Sequence, residues 1–175
     1  ADGNDSSDGT TPEKAVKTLD AAYRLLCSTE GGIGTQKAAR ATIVLCSDYE
    51  TGDLNFNIPS SGKAANAHEG TLTITGAWNG TDYQTSIRNT DSRKQDRFFQ
   101  VGGPTVLEHL TLDPGAAALK FYVGSQFTLG AGVTKAASAT GTIWVCGGWC
   151  RVGTADAGTI EIQSGTIDYV TPITS

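Results

Sequence analysis

The stretch from Phe98 to Val133, FFQVGGPTVLEHLTLDPGAAALKFYVGSQFTLGAGV, constrains the fold of this chain more than any other. It holds four short alternating runs: Phe99/Val101, Leu110/Leu112, Leu119/Phe121/Val123 and Phe127/Leu129. Alternation with period two sends one side chain to a core and the next outward, which is the pattern of a strand. Gly, Pro, Asp or Ser separates most of the runs, so long helices are excluded and the chain is expected to bend every few residues.

Spacing extends those strands into an architecture. One apolar series runs Phe99, Leu119, Ile143, Ile167, in steps of 20, 24 and 24 residues. A less regular one runs Leu110, Phe127, Ile160, in steps of 17 and 33. Quasi-repeats of this length, each carrying two or three strands and no recurring helix, predict a β-solenoid. The expected fold class is all-β: a right-handed parallel β-helix with one N-terminal capping α-helix, its hand following the usual crossover rule. The same strands would also serve a sandwich, which is the alternative.

Before the repeats comes one segment of helical pattern. Val16, Leu19, Tyr23, Leu26 and Cys27 share a face, Pro12 and Glu13 suit a helix start after Thr11, and Gly31-Gly32 suits its stop. The domain is therefore divided into an opening loop over 1–11, a cap helix over 12–30 and coils over 41–170. The loop ADGNDSSDGTT places Asp2, Asn4, Ser6 and Glu13 at spacings found in calcium loops, but Ser7 stands where such loops need glycine. Turn formation by Asx side chains is the competing reading. Ala41-Thr-Ile-Val-Leu-Cys46 then reads as a strand buried on both faces, and the helix is expected to cover the first coil's core and exposed edge.

The Asp/Gly-rich loop, Thr11-Pro-Glu13, Lys17-Thr-Leu-Asp-Ala-Ala22 and the Ala41–Leu45 strand together resemble the opening of right-handed parallel β-helix proteins of the pectate-lyase-like superfamily. The resemblance continues through His68-Glu-Gly-Thr-Leu-Thr-Ile-Thr75, Gly80-Thr-Asp-Tyr83, Phe99–Thr105, Leu107-Glu-His-Leu-Thr-Leu112 and Phe127–Val133. In Leu107-x-x-Leu110-x-Leu112 the two-residue gap marks a corner, and His109 stands where such proteins often place Asn. The resemblance implies a secreted or cell-surface bacterial protein and covers coils and corners rather than chemistry. The pattern still alternates at Thr166–Val170 with no closing helix after it, so further β-helix repeats are expected C-terminally in a longer parent protein. The start at Ala1 without Met is consistent with a removed leader.

Composition narrows the partners. A net charge of −5 disfavours nucleic acid and anionic membranes. No run of 18 apolar residues exists, so no membrane insertion is expected. The four cysteines, Cys27, Cys46, Cys146 and Cys150, form neither a redox CxxC nor a zinc set with His68 or His109, so no metal or other cofactor is assigned. Cys27 and Cys46 are expected to lie close together at the capped end, and Cys146 with Cys150 could close a ring around Trp149. Free thiols and disulfides are both open for the four.

For chemistry, the strand or near-strand carboxylates are Glu108, Asp113, Glu161 and Asp168, with Lys120 and Arg151 as bases. They do not recur at one coil spacing, so no catalytic residue is assigned. The insert from Trp78 to Arg97 mixes Arg88, Arg93, Lys94 and Arg97 with Asp91 and Asp96 and reads as a solvated loop. Aromatic rings in exposed turns could stack on the apolar faces of sugars. On that ground Trp149, and next Trp78 with Tyr83, are the glycan-binding candidates, against the alternative that Trp144 and Trp149 only pack. The expected function is that of a noncatalytic β-helix module of an adhesin type, in contact with carbohydrate. A polysaccharide lyase or glycoside hydrolase fragment, and a structural stalk without ligand, are the alternatives.

Overall fold

The computed structural model describes residues 3–28, 39–51, 56–58, 68–91, 93–123, 126–147, 160–162 and 169–171. Its first residues are organised by carboxylates. Asp5 accepts hydrogen bonds from the amides of Lys17 (2.7 Å) and Thr18 (2.9 Å) and from the Thr18 hydroxyl (3.1 Å). Asp8 accepts from the amide and hydroxyl of Thr10 and from the Lys14 ammonium at 3.0 Å. These are the turn-forming roles open to Asx residues. Asp2 lies outside the described residues.

The helix is shorter than its apolar spacing predicts. Pro12–Lys14 makes a single 3₁₀ turn with no side-chain cap from Thr11, and Ala15 is already out of helical conformation. The helix α1 runs Leu19–Cys27, capped by Thr18, whose hydroxyl accepts from the Ala21 amide at 3.1 Å. Asp5 explains the shift: by accepting from the Lys17 and Thr18 amides it holds the segment before α1 extended and places Thr18 as the N-cap. Val16 therefore sits before the helix. Leu19, Tyr23, Leu26 and Cys27 form its buried face, which packs against the strands Arg40–Val44 and Phe56–Ile58.

The strands follow as β1 (Arg40–Val44), β2 (Tyr49–Glu50), β3 (Phe56–Ile58), β4 (Thr71–Thr75), β5 (Ala77–Trp78), β6 (Thr81–Asp82), β7 (Ser86–Arg88) and β8 (Arg97–Val101). Then come β9 (Thr105–Glu108), β10 (Thr111–Asp113), β11 (Ala118–Val123), β12 (Phe127–Leu129), β13 (Thr134–Lys135), β14 (Thr142–Gly147), β15 (Ile160–Ile162) and β16 (Tyr169–Thr171). They form three parallel sheets, β1-β4-β9-β12-β15, β2-β7-β10-β13 and β3-β8-β11-β14-β16, and one antiparallel pair, β5-β6. The chain visits the first, second and third sheet in turn. Each new strand is added beside the previous one of its own sheet. The helix lies against β1 and β3, the edge strands of the first and third sheets.

Alternation builds one core between the sheets. Ala41 and Ile43 on β1 stand opposite Leu72 and Ile74, and these opposite Thr105 and Leu107. Ile87 and Leu112 come from the second sheet, and Leu119, Phe121, Ile143 and Val145 from the third. Phe121 stacks on Phe99 with ring centroids 4.9 Å apart and on Phe127 at 5.3 Å, joining the third sheet to the first.

The register differs from the expected columns in one step of each series. Leu119 pairs with Ile143, and Phe127 with Ile160. Phe99, however, stands opposite Phe121, while Leu119 stands opposite Arg97. A shift of two residues keeps the same side chains on the same face, so alternation alone does not choose between them. Phe127 pairs with Thr105, and Leu110 occupies the corner between β9 and β10. There His109 adopts a left-handed conformation, φ 49°, which ends the strand. A methyl group at Gly76 would collide with the His109 carbonyl oxygen. Ile167 lies outside the described residues.

The segment between β7 and β8 is not a solvated loop throughout. Asp91 and Arg97 are buried, their side chains 1% and 6% exposed, and the Arg97 guanidinium is paired with the Asp91 carboxylate. Asn89 donates to the carbonyls of Gln95 (2.9 Å) and Ala118 (3.1 Å). The charges that looked solvent-facing thus hold the turn from the second sheet to the third.

Burial at the helix end has a pH consequence. The Tyr23 hydroxyl accepts from the His68 amide at 3.0 Å, yet burial pushes the Tyr23 phenol up to about 12, and burial likewise pushes Tyr49 to about 12. A raised folded pKa means the stabilising contribution is whole below the ordinary value near 10 and is lost as pH rises through about 12. For Tyr23 alone the loss amounts to about 2–3 kcal/mol. Phenolate absorbance and circular dichroism, titrated together, should show unfolding in that window. Stability unchanged from pH 9 to 12 would contradict it.

Candidate functional site

The antiparallel pair β5–β6 is a hairpin placed between the first and second sheets. Its turn is Asn79-Gly80, with φ 49° and 80°, and positive φ at both central positions makes the tight two-residue turn that matches strand twist. At the base, the Tyr83 amide donates to the Gly76 carbonyl at 2.9 Å, and the Thr75 hydroxyl is hydrogen-bonded to the backbone of Ala77. Trp78 stands beside the turn and is 49% exposed. Tyr83 sits at the base, partly exposed, with its hydroxyl hydrogen-bonded with the Cys46 thiol. Trp78 stands opposite Thr81, and Tyr83 follows two residues after Thr81, a diagonal position on the hairpin. Trp149 lies outside the described residues.

Cys27 and Cys46 are both free thiols, so no disulfide joins the helix to the segment that follows β1. Cys27 is turned toward Tyr23 and His68, whereas Cys46 meets Tyr83 and the Val44 carbonyl. Burial pushes both thiols above their ordinary pKa. Cys150 and the side chain of Cys146 lie outside the described residues.

The carboxylates and bases singled out in the sequence fall on different faces. Glu108 ends β9 in the first sheet, Asp113 ends β10 in the second, and Lys120 lies on β11 in the third. Asp113 is engaged by Arg88 at 3.4 Å, and Arg88 also reaches Asp48 at 3.3 Å, a ladder of charges across the second sheet. Glu161 takes the register position opposite Thr128, and Asp168 and Arg151 lie outside the described residues. Among the described residues no three His, Cys, Asp or Glu side chains are grouped to hold a metal, and no helix is long and apolar enough to cross a membrane.

A different cluster appears on the outer face of the third sheet. Along β11, Leu119 and Phe121 are buried while Lys120 and Tyr122 are partly exposed. Along β14, Ile143 and Val145 are buried while Trp144 is partly exposed. Register sets Lys120 directly beside Trp144, with Phe98 and Tyr169 at the flanking positions. The Lys120 ammonium lies 5.7 Å from the Trp144 ring centroid and 2.5 Å from the Asp96 carboxylate. Tyr122 is the diagonal neighbour of Trp144 on the same face of the parallel pair. The signal was present in the sequence: Lys120, Tyr122 and Trp144 are the outward members of two alternating runs whose pairing the apolar spacing Leu119–Ile143 already contained.

Comparisons of the chain with protein-family models, with curated proteins and with solved structures return no match.

Proposed function

We propose that this chain is a noncatalytic, right-handed parallel β-helix module of a secreted or cell-surface protein, and that it contacts glycans through exposed aromatic side chains. Three parallel sheets visited in turn, with a helix at the end where the sheets begin, support the β-helix reading. The resemblance of the opening segment and the corners to pectate-lyase-like proteins supports the extracellular setting. Glu108, Asp113 and Lys120 lie on strands of three different sheets rather than in one column, and this favours binding over hydrolysis.

The observation that carries the reading is Trp78. It is the exposed large hydrophobic side chain among the described residues, and a clamped hairpin presents it. An indole held in place at a surface turn offers an apolar plane at low entropic cost. On a glycan array, Trp78→Ala is expected to weaken retained signals by about tenfold or more, the effect of removing a hot-spot tryptophan. Its melting temperature should stay within a degree or two of the parent. A parallel assay for unsaturated sugars should stay blank. Retention of no glycan at all would leave a structural stalk as the reading, and release of unsaturated sugars would make the chain a lyase.

A further inference from the structure

We propose that the outer face of the third sheet is a second binding site, formed by Trp144, Tyr122, Lys120 and Asp96, and that its ligand is an uncharged pyranose glycan lying across the strands. The inference rests on the glycan-contact reading of the chain but on none of the residues that carry it. It starts from geometry: Lys120 and Trp144 are direct cross-strand neighbours, and Tyr122 is diagonal to Trp144 on the same face. All three are partly exposed beside the buried side chains of Leu119, Phe121, Ile143 and Val145, and their spacing is set by register.

The chemistry of the four groups selects the ligand. The rings of Trp144 and Tyr122 supply electron-rich surface for the C–H face of a sugar. Lys120 is a donor without acceptor capacity, and Asp96 is an acceptor without donor capacity. Standing 2.5 Å apart, they offer a donor and an acceptor side by side, which suits two adjacent hydroxyls that each give and take a hydrogen bond. The ion pair also neutralises the face. An anionic glycan would have to displace Asp96 from Lys120, whereas an uncharged one adds to the pair without breaking it. Strands follow one another at about 4.8 Å, a step comparable to one sugar ring, so an extended chain crossing β11 and β14 would meet Lys120 and Trp144 in succession.

The test is native affinity electrophoresis of the full 175-residue chain in gels carrying hydroxyethylcellulose, an uncharged β-glucan, or polygalacturonate. Retardation by the uncharged polymer is expected, with little by the acidic one. Trp144→Ala and Tyr122→Ala should each weaken it at least about tenfold, as hot-spot aromatics do, while Glu50→Ala, exposed on β2 of the second sheet, leaves it within twofold. Trp144→Tyr, which keeps a ring, should retain most of the binding. Thermal melting of each variant separates loss of binding from loss of fold. If Trp144→Ala unfolds, the tyrosine variants decide: folded Trp144→Tyr without retardation overturns the site. Stronger retardation by polygalacturonate overturns the uncharged ligand. Loss of retardation in Trp78→Ala alone assigns glycan contact to the hairpin, leaving that reading intact and sinking this one. If the parent chain shows no retardation by the uncharged polymer, this site is again refuted, while the hairpin is judged by its own array result.

Discussion

Truncating Phe121 to alanine is expected to lower the free energy of unfolding by about 3–5 kcal/mol, the range for a buried phenylalanine. The ring is 1% exposed and stacks on both Phe99 and Phe127, so its loss removes contacts to the first and third sheets together. Neighbouring rings are held by separate strands and have little freedom to fill the space. Phe121→Leu, closer in volume, should be milder, at under about 2 kcal/mol. Urea unfolding of both variants measures this. A loss below about 1 kcal/mol for the alanine variant would mean that the core collapses around the gap and that the stack is not its centre.

The second large effect is expected at Asp91. Removing its carboxylate leaves Arg97 charged inside the protein, and breaking a buried pair in this way costs about 3–5 kcal/mol. Arg97 stands in register with Leu119 and Ile143, at a position that the third sheet otherwise fills with apolar side chains. A double replacement, Asp91→Ala with Arg97→Leu, should therefore recover much of the loss, because leucine continues the apolar column. Recovery in the double variant and not in the single one would show that the penalty is the stranded charge. Equal loss in both would assign it instead to the contacts Asp91 makes with the Arg93 backbone and side chain.

Much of this core was legible in the sequence, because period-two alternation marks which side chains turn inward regardless of their partners. Phe99, Leu112, Leu119, Phe121, Phe127 and Leu129 are all buried as the alternation requires. Register was legible only where one spacing was unique, as for Leu119 with Ile143. It failed between Phe99 and Leu119, where sliding by two residues changes no inward–outward assignment. The helix start was misplaced because Thr11-Pro12-Glu13 is a good local signal, and only the long-range hydrogen bonds from Lys17 and Thr18 to Asp5 overrule it. Asp91 and Arg97 read as surface for the same reason: a buried ion pair six residues apart looks, in one dimension, like any polar loop.

The candidate site was legible at Trp78, whose Asn-Gly neighbour announces an exposed turn. It was missed at Trp144 and Tyr122, although alternation turns both outward, because an aromatic inside a strand has no turn signal beside it to mark it as exposed.

The clamped base of the hairpin carries a consequence for how proteins of this kind diversify. Thr75 and the Gly76 carbonyl close the excursion where it leaves the sheet, so the length between them is uncoupled from the parallel register. Doubling a loop adds only about 0.6 kcal/mol of closure entropy. A lineage could then lengthen, shorten or rewrite the tip around Trp78, changing what it touches, while every hydrogen bond of the three sheets is inherited unaltered.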